Sequence, residues 1–372
     1  MKHIPFVDLK SQYLSIKDEI DNAIKDVIDE TSFIGGRHLR QFEKAFSELY
    51  GVRNCIPVAN GTDSLYIILK MLGVGLGDEV ITSAYSWISS SEAISQTGAT
   101  PVFVDIDEFF CIDASKIEQK ISKNTKAIIP VHIHGQMCDM AKIMDIAKFY
   151  NLHVIEDCAQ SHFSEFNGKR AGTFGVAGSF SFYPGKNLGA YGDAGCIISN
   201  DGHFSEKCKM FANHGALVKH DHQIEGINSR MDGMQAAILN VKLPYIIKWT
   251  EKRQLIADFY RKYLAGIEGI ELPMLRPNTN HSYHLFVIKT RHRADLVNYL
   301  RERNIETVIH YPTALPFLPC YMNRNFTRDD FPVSYENQSQ LLSLPLYPEL
   351  DELSIKLISQ AITEFYNKTE II

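Results

Sequence analysis

The segment Gly178-Ser-Phe-Ser-Phe-Tyr-Pro-Gly-Lys-Asn-Leu-Gly-Ala-Tyr-Gly-Asp-Ala-Gly195 places one lysine, Lys186, in a glycine-rich turn directly after an apolar strand. A phosphate-binding P-loop also combines glycines with a lysine, but it needs four residues between its glycines and Ser or Thr after the lysine. Here six residues separate Gly178 from Gly185 and Asn187 follows the lysine, so the P-loop is excluded. From this segment alone, a solvated turn lysine and a lysine with a chemical role both remain open.

Around this segment, from about residue 52 to 200, short β-rich apolar runs alternate with helical patterns. This alternation predicts an α/β domain with a largely parallel sheet. The helical spacing of apolar residues over Met140–Tyr150 supplies the crossover helix of a βαβ unit. Such sheets bind their ligands beyond the carboxyl ends of the strands. The predicted strands are Cys55–Val58, Glu79–Thr82, Pro101–Asp105, Ala127–Val131, His153–Glu156, Gly178–Phe182 and Cys196–Ser199.

The chain after residue 250 has a different pattern, in which a helix-rich stretch is followed by a break at Pro273, Pro277 and Asn278. We therefore expect a three-layer αβα domain with a mostly parallel mixed sheet and an N-terminal arm over 1–250, and a smaller α+β domain over 251–372. The elements predicted in the second half are the helices Ser229–Leu243, Ile247–Leu264, Arg293–Arg303 and Ser354–Asn367 and the strand His284–Thr290.

Composition narrows the classes of partner. The 372 residues carry 38 Lys plus Arg against 44 Asp plus Glu, with both signs scattered, so no basic face is indicated for nucleic acid or an anionic membrane. No stretch approaches the roughly 18 apolar residues of a membrane span, and the N-terminus has no apolar signal region. We expect a cytoplasmic protein with a small-molecule partner. Its seven cysteines lack a C-x-x-C pair and are expected to be reduced, buried thiols.

The segment His153-Val-Ile-Glu-Asp157-Cys-Ala-Gln160 is a buried strand that ends in a carboxylate. Asp157 thus lies where α/β sheets bind ligands, although a turn-forming or capping role is an equally good interpretation of this segment alone. A pyridoxal 5'-phosphate (PLP) site needs such an acid, because an anionic neighbour keeps the pyridine nitrogen protonated and the cofactor is then an electron sink.

The segment Val58-Ala-Asn-Gly-Thr62-Asp63-Ser64 predicts a strand, a tight turn and a helix start. Backbone N–H groups at that helix terminus, with the hydroxyls of Thr62 and Ser64, would bind a phosphate. Ordinary N-capping explains the same residues without a ligand. With Asp157 and Lys186, however, the chain has a phosphate cup, a pyridinium partner and a lysine, each at a strand end.

These motifs resemble the DegT/StrS family of sugar aminotransferases, which have the aspartate-aminotransferase type of PLP fold (fold type I). The resemblance extends from Ile4-Pro-Phe-Val-Asp-Leu9 to Leu344-Pro-Leu-Tyr-Pro-Glu-Leu350, nearly the whole chain. It implies an enzyme in which Lys186 holds PLP as a Schiff base and, with Asp157, carries the catalysis.

The resemblance also implies roles for other cofactor-binding residues. Thr62 and the backbone of Asp63 would hold the phosphate together with Ser181, whose alternation with Phe180 and Phe182 puts it on the opposite face of the strand. Trp87 would stack on the pyridine ring, although an aromatic residue near a strand end more often belongs to the core. Gln160 would lie near the phenolic oxygen of that ring.

Gly226-Ile-Asn228-Ser-Arg230-Met-Asp resembles a family block in which the asparagine reaches the cofactor phosphate of a neighbouring subunit. This implies an obligatory homodimer completed in trans by Asn228, although the same residues before a helix otherwise indicate an N-cap. Arg230 is a further substrate-binding candidate. His310-Tyr311-Pro312 resembles a segment that closes over the sugar nucleotide, and a rigid turn is the alternative.

A metal site is the other chemistry that the sequence suggests. His132 and His134 form a His-x-His pair near a strand end, but no acid or cysteine lies at ligand spacing in the sequence nearby. We therefore expect no metal.

The resemblance implies ping-pong transfer of an amino group from L-glutamate to a nucleotide-linked keto sugar, in the synthesis of surface glycan or lipopolysaccharide. The region from Asn213-His-Gly215 to Asn228-Ser-Arg230 resembles family members that aminate C3 of a 3-keto sugar nucleotide more than members that act on C4. The resemblance thus implies a dTDP-linked 3-keto-6-deoxyhexose first, then a UDP-linked 3-keto N-acetyl sugar, then a 4-keto sugar. Dehydrating relatives replace the lysine by histidine, which disfavours dehydration here. A non-catalytic ligand-binding regulator remains the alternative from another class.

Overall fold

The computed structural model describes residues 3–369, and its centre is a seven-stranded sheet. All seven predicted strands are confirmed to within two residues at either end. They are β1 (Asn54–Val58), β2 (Glu79–Ser83), β3 (Thr100–Val104), β4 (Thr125–Ile129), β5 (His153–Asp157), β6 (Ala177–Ser181) and β7 (Gly195–Ser199), and their order in the sheet is β1-β7-β6-β5-β4-β2-β3.

The direction of the strands decides where a site can form. Strands β3, β2, β4, β5 and β6 are parallel to their neighbours, and only β7 runs the opposite way, between β6 and β1. The carboxyl ends of β1, β2, β5 and β6 therefore meet at one edge of the sheet. This is the edge at which sheets of this kind bind ligands.

Helices cover both faces of the sheet, which confirms the three layers. Alternate residues of one strand face opposite layers: Ile81 of β2 joins the core formed with Phe42 and Phe46, whereas Val80 joins the core formed with Leu65 and Ile68. The helices of this part are α1 (Leu9–Ser15), α2 (Lys17–Asp29), α3 (Gly36–Tyr50), α4 (Gly61–Met71), α5 (Ser89–Gln96), α6 (Met140–Tyr150), α7 (Gly202–Ala212) and α8 (Gly233–Lys242).

Helix α8 begins four residues later than predicted, at Gly233 instead of Ser229. The reason is a tertiary contact. The hydroxyl of Ser229 accepts a hydrogen bond from the N–H of Ala59 at 3.2 Å, and the N–H of Gly233 donates to the carbonyl of Phe33 at 2.7 Å. These bonds hold the segment before α8 in an extended conformation.

The second half of the chain builds a separate core around a three-stranded antiparallel sheet. The buried residues of α9 divide between the two cores, with Trp249 in the first and Ile256 in the second. The domain boundary near residue 250 remains a prediction, and Ile4 of the N-terminal arm packs in the second core. The elements are α9 (Ile246–Leu264), β8 (Ile270–Glu271), β9 (Phe286–Thr290), α10 (Arg293–Arg301), α11 (Pro332–Asn337), β10 (Leu341–Leu344) and α12 (Glu352–Thr369), with β9 in the centre of the sheet.

Short elements complete the fold. One small sheet has three strands, Glu165–Phe166, Lys169–Arg170 and Thr279–Asn280. Another has two strands, Ala216–Val218 and Asp221–His222. Single 3-10 turns lie at Ala114–Lys116, Glu118–Lys120, Ile133–Gly135, Leu243–Tyr245, Leu315–Phe317, Pro319–Arg324 and Arg328–Asp330. Within residues 3–369, no helix is both long and apolar enough to span a membrane. All seven cysteines are free, and six are buried as expected, whereas Cys320 is exposed.

Candidate active site

A cavity of about 680 Å³ opens at the edge where the carboxyl ends of β1, β2, β5 and β6 meet. Its other walls come from the second core and from Phe6 and Val7 of the N-terminal arm. Eight of the eleven predicted site residues line it: Thr62, Trp87, Asp157, Gln160, Ser181, Lys186, His310 and Tyr311. Residues that are far apart in the sequence are thus brought together, as the strand-end positions predict.

The turn after β1 presents the N-terminus of α4 to the cavity. Asn60 caps this helix, because its Oδ1 accepts a hydrogen bond from the N–H of Asp63 at 2.8 Å. Gly61 packs directly against β6, where a Cβ added at residue 61 would lie 2.8 Å from Cβ of Ser181. The glycine is therefore required by this close approach, which places the start of α4 beside Ser181.

Hydroxyl groups surround this helix terminus. Oγ1 of Thr62 lies 2.7 Å from Oγ of Ser89, and Ser181 completes the group on β6. Ser64 is not part of it, contrary to our expectation, because its buried hydroxyl donates to the carbonyl of Cys196 at 3.1 Å. A helix N-terminus with three hydroxyls suits an oxyanion such as phosphate.

Asp157 ends β5, the strand beside β6, and is buried in the wall of the cavity. Its Oδ2 accepts a hydrogen bond from Oγ of Ser90 at 2.8 Å, and its Oδ1 accepts one from the N–H of Ala159 at 3.1 Å. Burial raises the pKa of this carboxyl group, while both hydrogen bonds and the charge of Lys186 lower it. Each carboxylate oxygen can accept a further bond, so Asp157 can receive an N–H donor from the cavity.

Lys186 lies in a tight turn after β6 and reaches the same cavity. Its backbone N–H donates to the carbonyl of Tyr183 at 2.8 Å, and the next residue, Asn187, is anchored by its Nδ2, which donates to the carbonyl of Ser282 at 2.9 Å. Desolvation lowers the pKa of Lys186 to about 8, against the opposing charge of Asp157. No hydrogen bond from Nζ to any residue of 3–369 was found. This lysine is therefore a free amine that deprotonates readily.

Gln160 connects the main sheet to the segment that contains Tyr311. Its Oε1 accepts from the N–H of His134 at 2.7 Å, and its Nε2 donates to the hydroxyl of Tyr311 at 2.7 Å. The hydroxyl of Tyr85 in turn contacts the backbone of Tyr311, donating to its carbonyl at 3.0 Å. The Trp87 side chain is 58% exposed and its ring lies 5.7 Å from that of Tyr311, which excludes the core interpretation.

Several lining residues were not predicted from the sequence, and Tyr183, Arg253 and His284 are three of them that could contact a ligand. Tyr183 directly follows the predicted strand and could have been noticed beside Lys186. His284 opens a predicted strand, but Arg253 lies in the middle of α9 and gives no local signal. Nδ1 of the predicted residue His310 is hydrogen-bonded to Oγ of Ser343 at 2.9 Å.

Three predicted residues lie outside the cavity of this chain, and their roles remain predictions. The backbone N–H of Asp63 already donates to Oδ1 of Asn60, the residue that caps α4. Asn228 is exposed at the surface. Arg230 is partly buried and its Nη1 donates to Oδ1 of Asn213 at 3.3 Å.

The His-x-His pair is divided by the structure. Nε2 of His132 lies 3.0 Å from Oε2 of Glu156, and Cys158 is close to both, so the fold supplies metal-ligand types that sequence spacing did not. The carboxylate of Glu156 also accepts the backbone N–H groups of Gly172, Phe174 and Gly175 at 2.6 to 2.9 Å. These donors already saturate the carboxylate, so its role is to hold the loop before β6.

The lining fits PLP at three points. The helix terminus and hydroxyls near Thr62 and Ser181 suit its phosphate, Asp157 has free acceptor capacity for a protonated ring nitrogen, and Lys186 offers a free amine. Together they provide an anion site, a carboxylate and a nucleophile within one cavity.

Comparison with known proteins agrees with this geometry. The sequence profile of the DegT/DnrJ/EryC1/StrS aminotransferase family matches residues 14–363. The chain is 41% identical to a dTDP-3-amino-3,6-dideoxy-alpha-D-galactopyranose transaminase of Aneurinibacillus thermoaerophilus, an alignment that covers 97% of this chain and 99% of that one.

Two solved structures have the same fold. DesV of S. venezuelae, in complex with a ketimine intermediate, matches with a TM-score of 0.96 and 36% identity over 98% of this chain and 99% of its own. The ntda protein of Bacillus subtilis, with bound cofactor PMP, matches with a TM-score of 0.88 and 34% identity over 99% of this chain and 85% of its own. The predicted fold is thereby confirmed. Since the profile and these relatives match nearly its full length, the chain belongs to the DegT/DnrJ/EryC1/StrS aminotransferase family.

Proposed function

We propose that this aminotransferase transfers an amino group from L-glutamate to a nucleotide-linked keto sugar, and that a dTDP-linked 3-keto-6-deoxyhexose is its acceptor. Its cofactor is PLP, which agrees with the family and with the lining of the cavity. The observation that carries the reaction type is the free amine of Lys186 in a cavity with Asp157. The acceptor is favoured by the relative from A. thermoaerophilus, whose name gives a dTDP-linked 3-amino sugar.

The chemistry divides between the cofactor and the chain. Bound PLP supplies the electron sink for the electron pair left when the donor loses its α-proton. Lys186 would hold PLP until the amino group of the donor displaces it, and its freed amine would then accept that proton; a pKa near 8 leaves part of the amine neutral at physiological pH. The carboxylate of Asp157 would keep a proton on the ring nitrogen, and the Nε2 proton of Gln160 that is not bonded to Tyr311 would be available to the phenolic oxygen.

The acceptor binds on the opposite wall. His310 and Tyr311 lie on the segment that closes the cavity from the second core, and the hydroxyl of Tyr85 holds the backbone of that segment. We assign these side chains to the sugar, because both line the cavity and neither belongs to the group of hydroxyls at the N-terminus of α4. The same cavity serves donor and acceptor in turn, so ping-pong kinetics follow.

We further propose that the enzyme is a homodimer in which Asn228 completes the neighbouring site. Asn228 is exposed and does not reach the cavity of its own chain. Exposed apolar side chains lie on or beside the same segment, which is typical of a subunit interface. They are Phe33, Ile34, Leu217, Val218 and Ile224.

An absorbance spectrum of the purified protein with PLP tests the proposal. L-Glutamate should convert the visible band of the bound cofactor, and one member of a panel of keto sugar nucleotides should restore it. The panel contains dTDP-linked and UDP-linked 3-keto sugars and a 4-keto sugar. A protein that takes up no PLP would contradict the reaction type. Restoration by a UDP-linked or 4-keto sugar alone would replace the proposed acceptor and leave the reaction type intact.

A further inference from the structure

A second cation, Arg253, lies in the wall of the cavity. It projects from α9 and is only 4% exposed. Its Nη1 donates to the backbone carbonyls of Tyr283 at 3.2 Å, His284 at 3.4 Å and Leu346 at 3.0 Å. Tyr283 and His284 precede β9 and Leu346 follows its antiparallel partner β10, so the three carbonyls lie at one end of the second core's sheet and together fix the plane of the guanidinium group.

The remaining donors of Arg253 have no acceptor among residues 3–369. Nε is buried without a partner, and within residues 3–369 no hydrogen bond of Nη2 was found. Three of the five N–H donors of a guanidinium group are therefore free. Burial lowers the pKa of Arg253 to about 10, and the acidic group that opposes this shift, Glu349, forms no ion pair with it. A buried cation that no carboxylate pairs is unfavourable, so this site is suited to an anionic ligand.

The position of the cation indicates which anion. The phosphate-binding hydroxyls of Thr62 and Ser181 belong to the first core, whereas Arg253 lies beside His284 and Leu346 of the second. Nδ1 of His284 lies 3.3 Å from Oδ1 of Asn187, the residue after Lys186, and the carbonyl of His284 accepts from Arg253, so His284 connects the two cations. An anion held by Arg253 would therefore lie on the side of the cavity facing Lys186, apart from the phosphate.

We infer that Arg253 binds the α-carboxylate of the amino donor and so presents the donor's α-carbon to Lys186. This inference rests on the proposed function, because it assumes an amino acid donor. A guanidinium group forms charge-assisted hydrogen bonds with a carboxylate, and the two N–H donors of Nη2 remain for that purpose because Nη1 is bonded to carbonyls and Nε is enclosed by the protein. The lining has no other arginine among the residues that the structure describes.

The two half-reactions, measured separately on the holoenzyme, test this role. In Arg253→Gln, the rate constant with subsaturating L-glutamate should fall about 100-fold, since one partner of a buried charge pair is lost. Reaction of the aminated enzyme with the keto sugar nucleotide should change by less than about threefold, because the acceptor carries no α-carboxylate. Arg261→Gln is the matched control: Arg261 lies on the same helix and donates to the carbonyl of Pro273, but it does not line the cavity.

Two readouts do not depend on turnover. Glutarate lacks an amino group and cannot react, so calorimetry gives its dissociation constant directly, and Arg253→Gln should weaken it at least about tenfold. As a donor, 4-aminobutyrate lacks the α-carboxylate, so its slow reaction should be the same in Arg253→Gln and in the unaltered enzyme.

Arg253→Lys keeps the positive charge but loses the planar guanidinium group. Its rate constant with L-glutamate should therefore fall about tenfold, while the reaction with the sugar nucleotide stays unchanged. If Arg253→Gln does not fold, the Arg253→Lys variant alone tests the inference. Equal losses in both half-reactions, or no loss with L-glutamate, would overturn the inference. A loss confined to the sugar nucleotide would also overturn it and assign Arg253 to the diphosphate of the acceptor. If the unaltered enzyme does not react with L-glutamate at all, the proposed function fails instead.

Discussion

Lys186 and Lys242 are two lysines with a lowered pKa, and comparing them separates chemistry from burial. Nζ of Lys242 is fully buried, donates to the carbonyl of Gly189 at 2.7 Å and lies 4.2 Å from the ring of Tyr191, outside the cavity. Its pKa is lowered to about 7, further than that of Lys186. A lowered pKa therefore does not identify the reactive lysine, whereas a free Nζ in the cavity does.

We expect Lys186→Ala to lose the visible absorbance of the bound cofactor and to reduce turnover by at least about 1000-fold, because the covalent link and the base are both removed. Absorbance spectra and steady-state rates measure the two effects. Lys242→Met is the control, and it should retain the spectrum because Nζ of Lys242 contacts Gly189 and Tyr191, neither of which lines the cavity. Full activity in Lys186→Ala would exclude the proposed mechanism.

The pKa of Lys186 makes capture of PLP by the apo-enzyme depend on pH. Because the neutral amine is the nucleophile, the capture rate should rise with pH through about 8 and then level off, more than two pH units below an ordinary lysine.

The charge of Asp157 raises the pKa of Lys186, so Asp157→Asn should shift this pH profile of PLP capture to lower pH. It should also retain cofactor binding while turnover falls about 100-fold or more, since the ring proton is no longer held. Stopped-flow absorbance across pH checks the shift; an unchanged profile would show that the two groups do not interact.

Among the secondary-structure elements, α4 has the tightest constraint, because its first residue packs on β6. Gly61→Ala would place a Cβ 2.8 Å from Cβ and 3.2 Å from Cα of Ser181. We expect a stability loss of about 1–3 kcal/mol and weaker binding of PLP, because overpacking displaces the helix terminus that faces the phosphate.

Helix α7 provides the matched control for this substitution. It also has eleven residues, begins at a glycine, Gly202, and is capped by an acceptor side chain, Asp201. A Cβ at residue 202 meets nothing within 4 Å. Gly202→Ala should therefore leave PLP affinity unchanged and alter the free energy of unfolding by less than about 1 kcal/mol. Equal effects of the two variants on PLP affinity would mean that the contact between Gly61 and Ser181 does not shape the site.

At the level of the assembly, the proposed homodimer predicts complementation between two inactive variants. In Lys186→Ala the lysine is missing, and in Asn228→Ala the residue supplied to the neighbouring site is missing. A mixed dimer contains one intact site, so random mixing should restore about one quarter of the native activity. Activity assays after subunit exchange measure this fraction. An active Asn228→Ala variant, or a monomer by light scattering, would contradict the shared site.

The sequence predicted the central sheet because the information there is local. A run of apolar residues that ends in a polar one, as at Asp157 and Ser181, marks both a buried strand and its carboxyl end, where sheets bind ligands. Helices α2 and α3 were not predicted. They are mostly polar, α3 starts at a glycine without a side-chain cap, and packing against α8 stabilises both.

The second wall of the cavity was decided by tertiary structure. Arg253 acquires its role from the carbonyls of Tyr283 and Leu346, which lie 30 and 93 residues further along the chain. Tyr85 holds Tyr311 across 226 residues. Periodicity and strand ends are properties of neighbours in the sequence and can be read there, whereas the burial of a cation and its unpaired donors exist only once distant backbone segments have met around it.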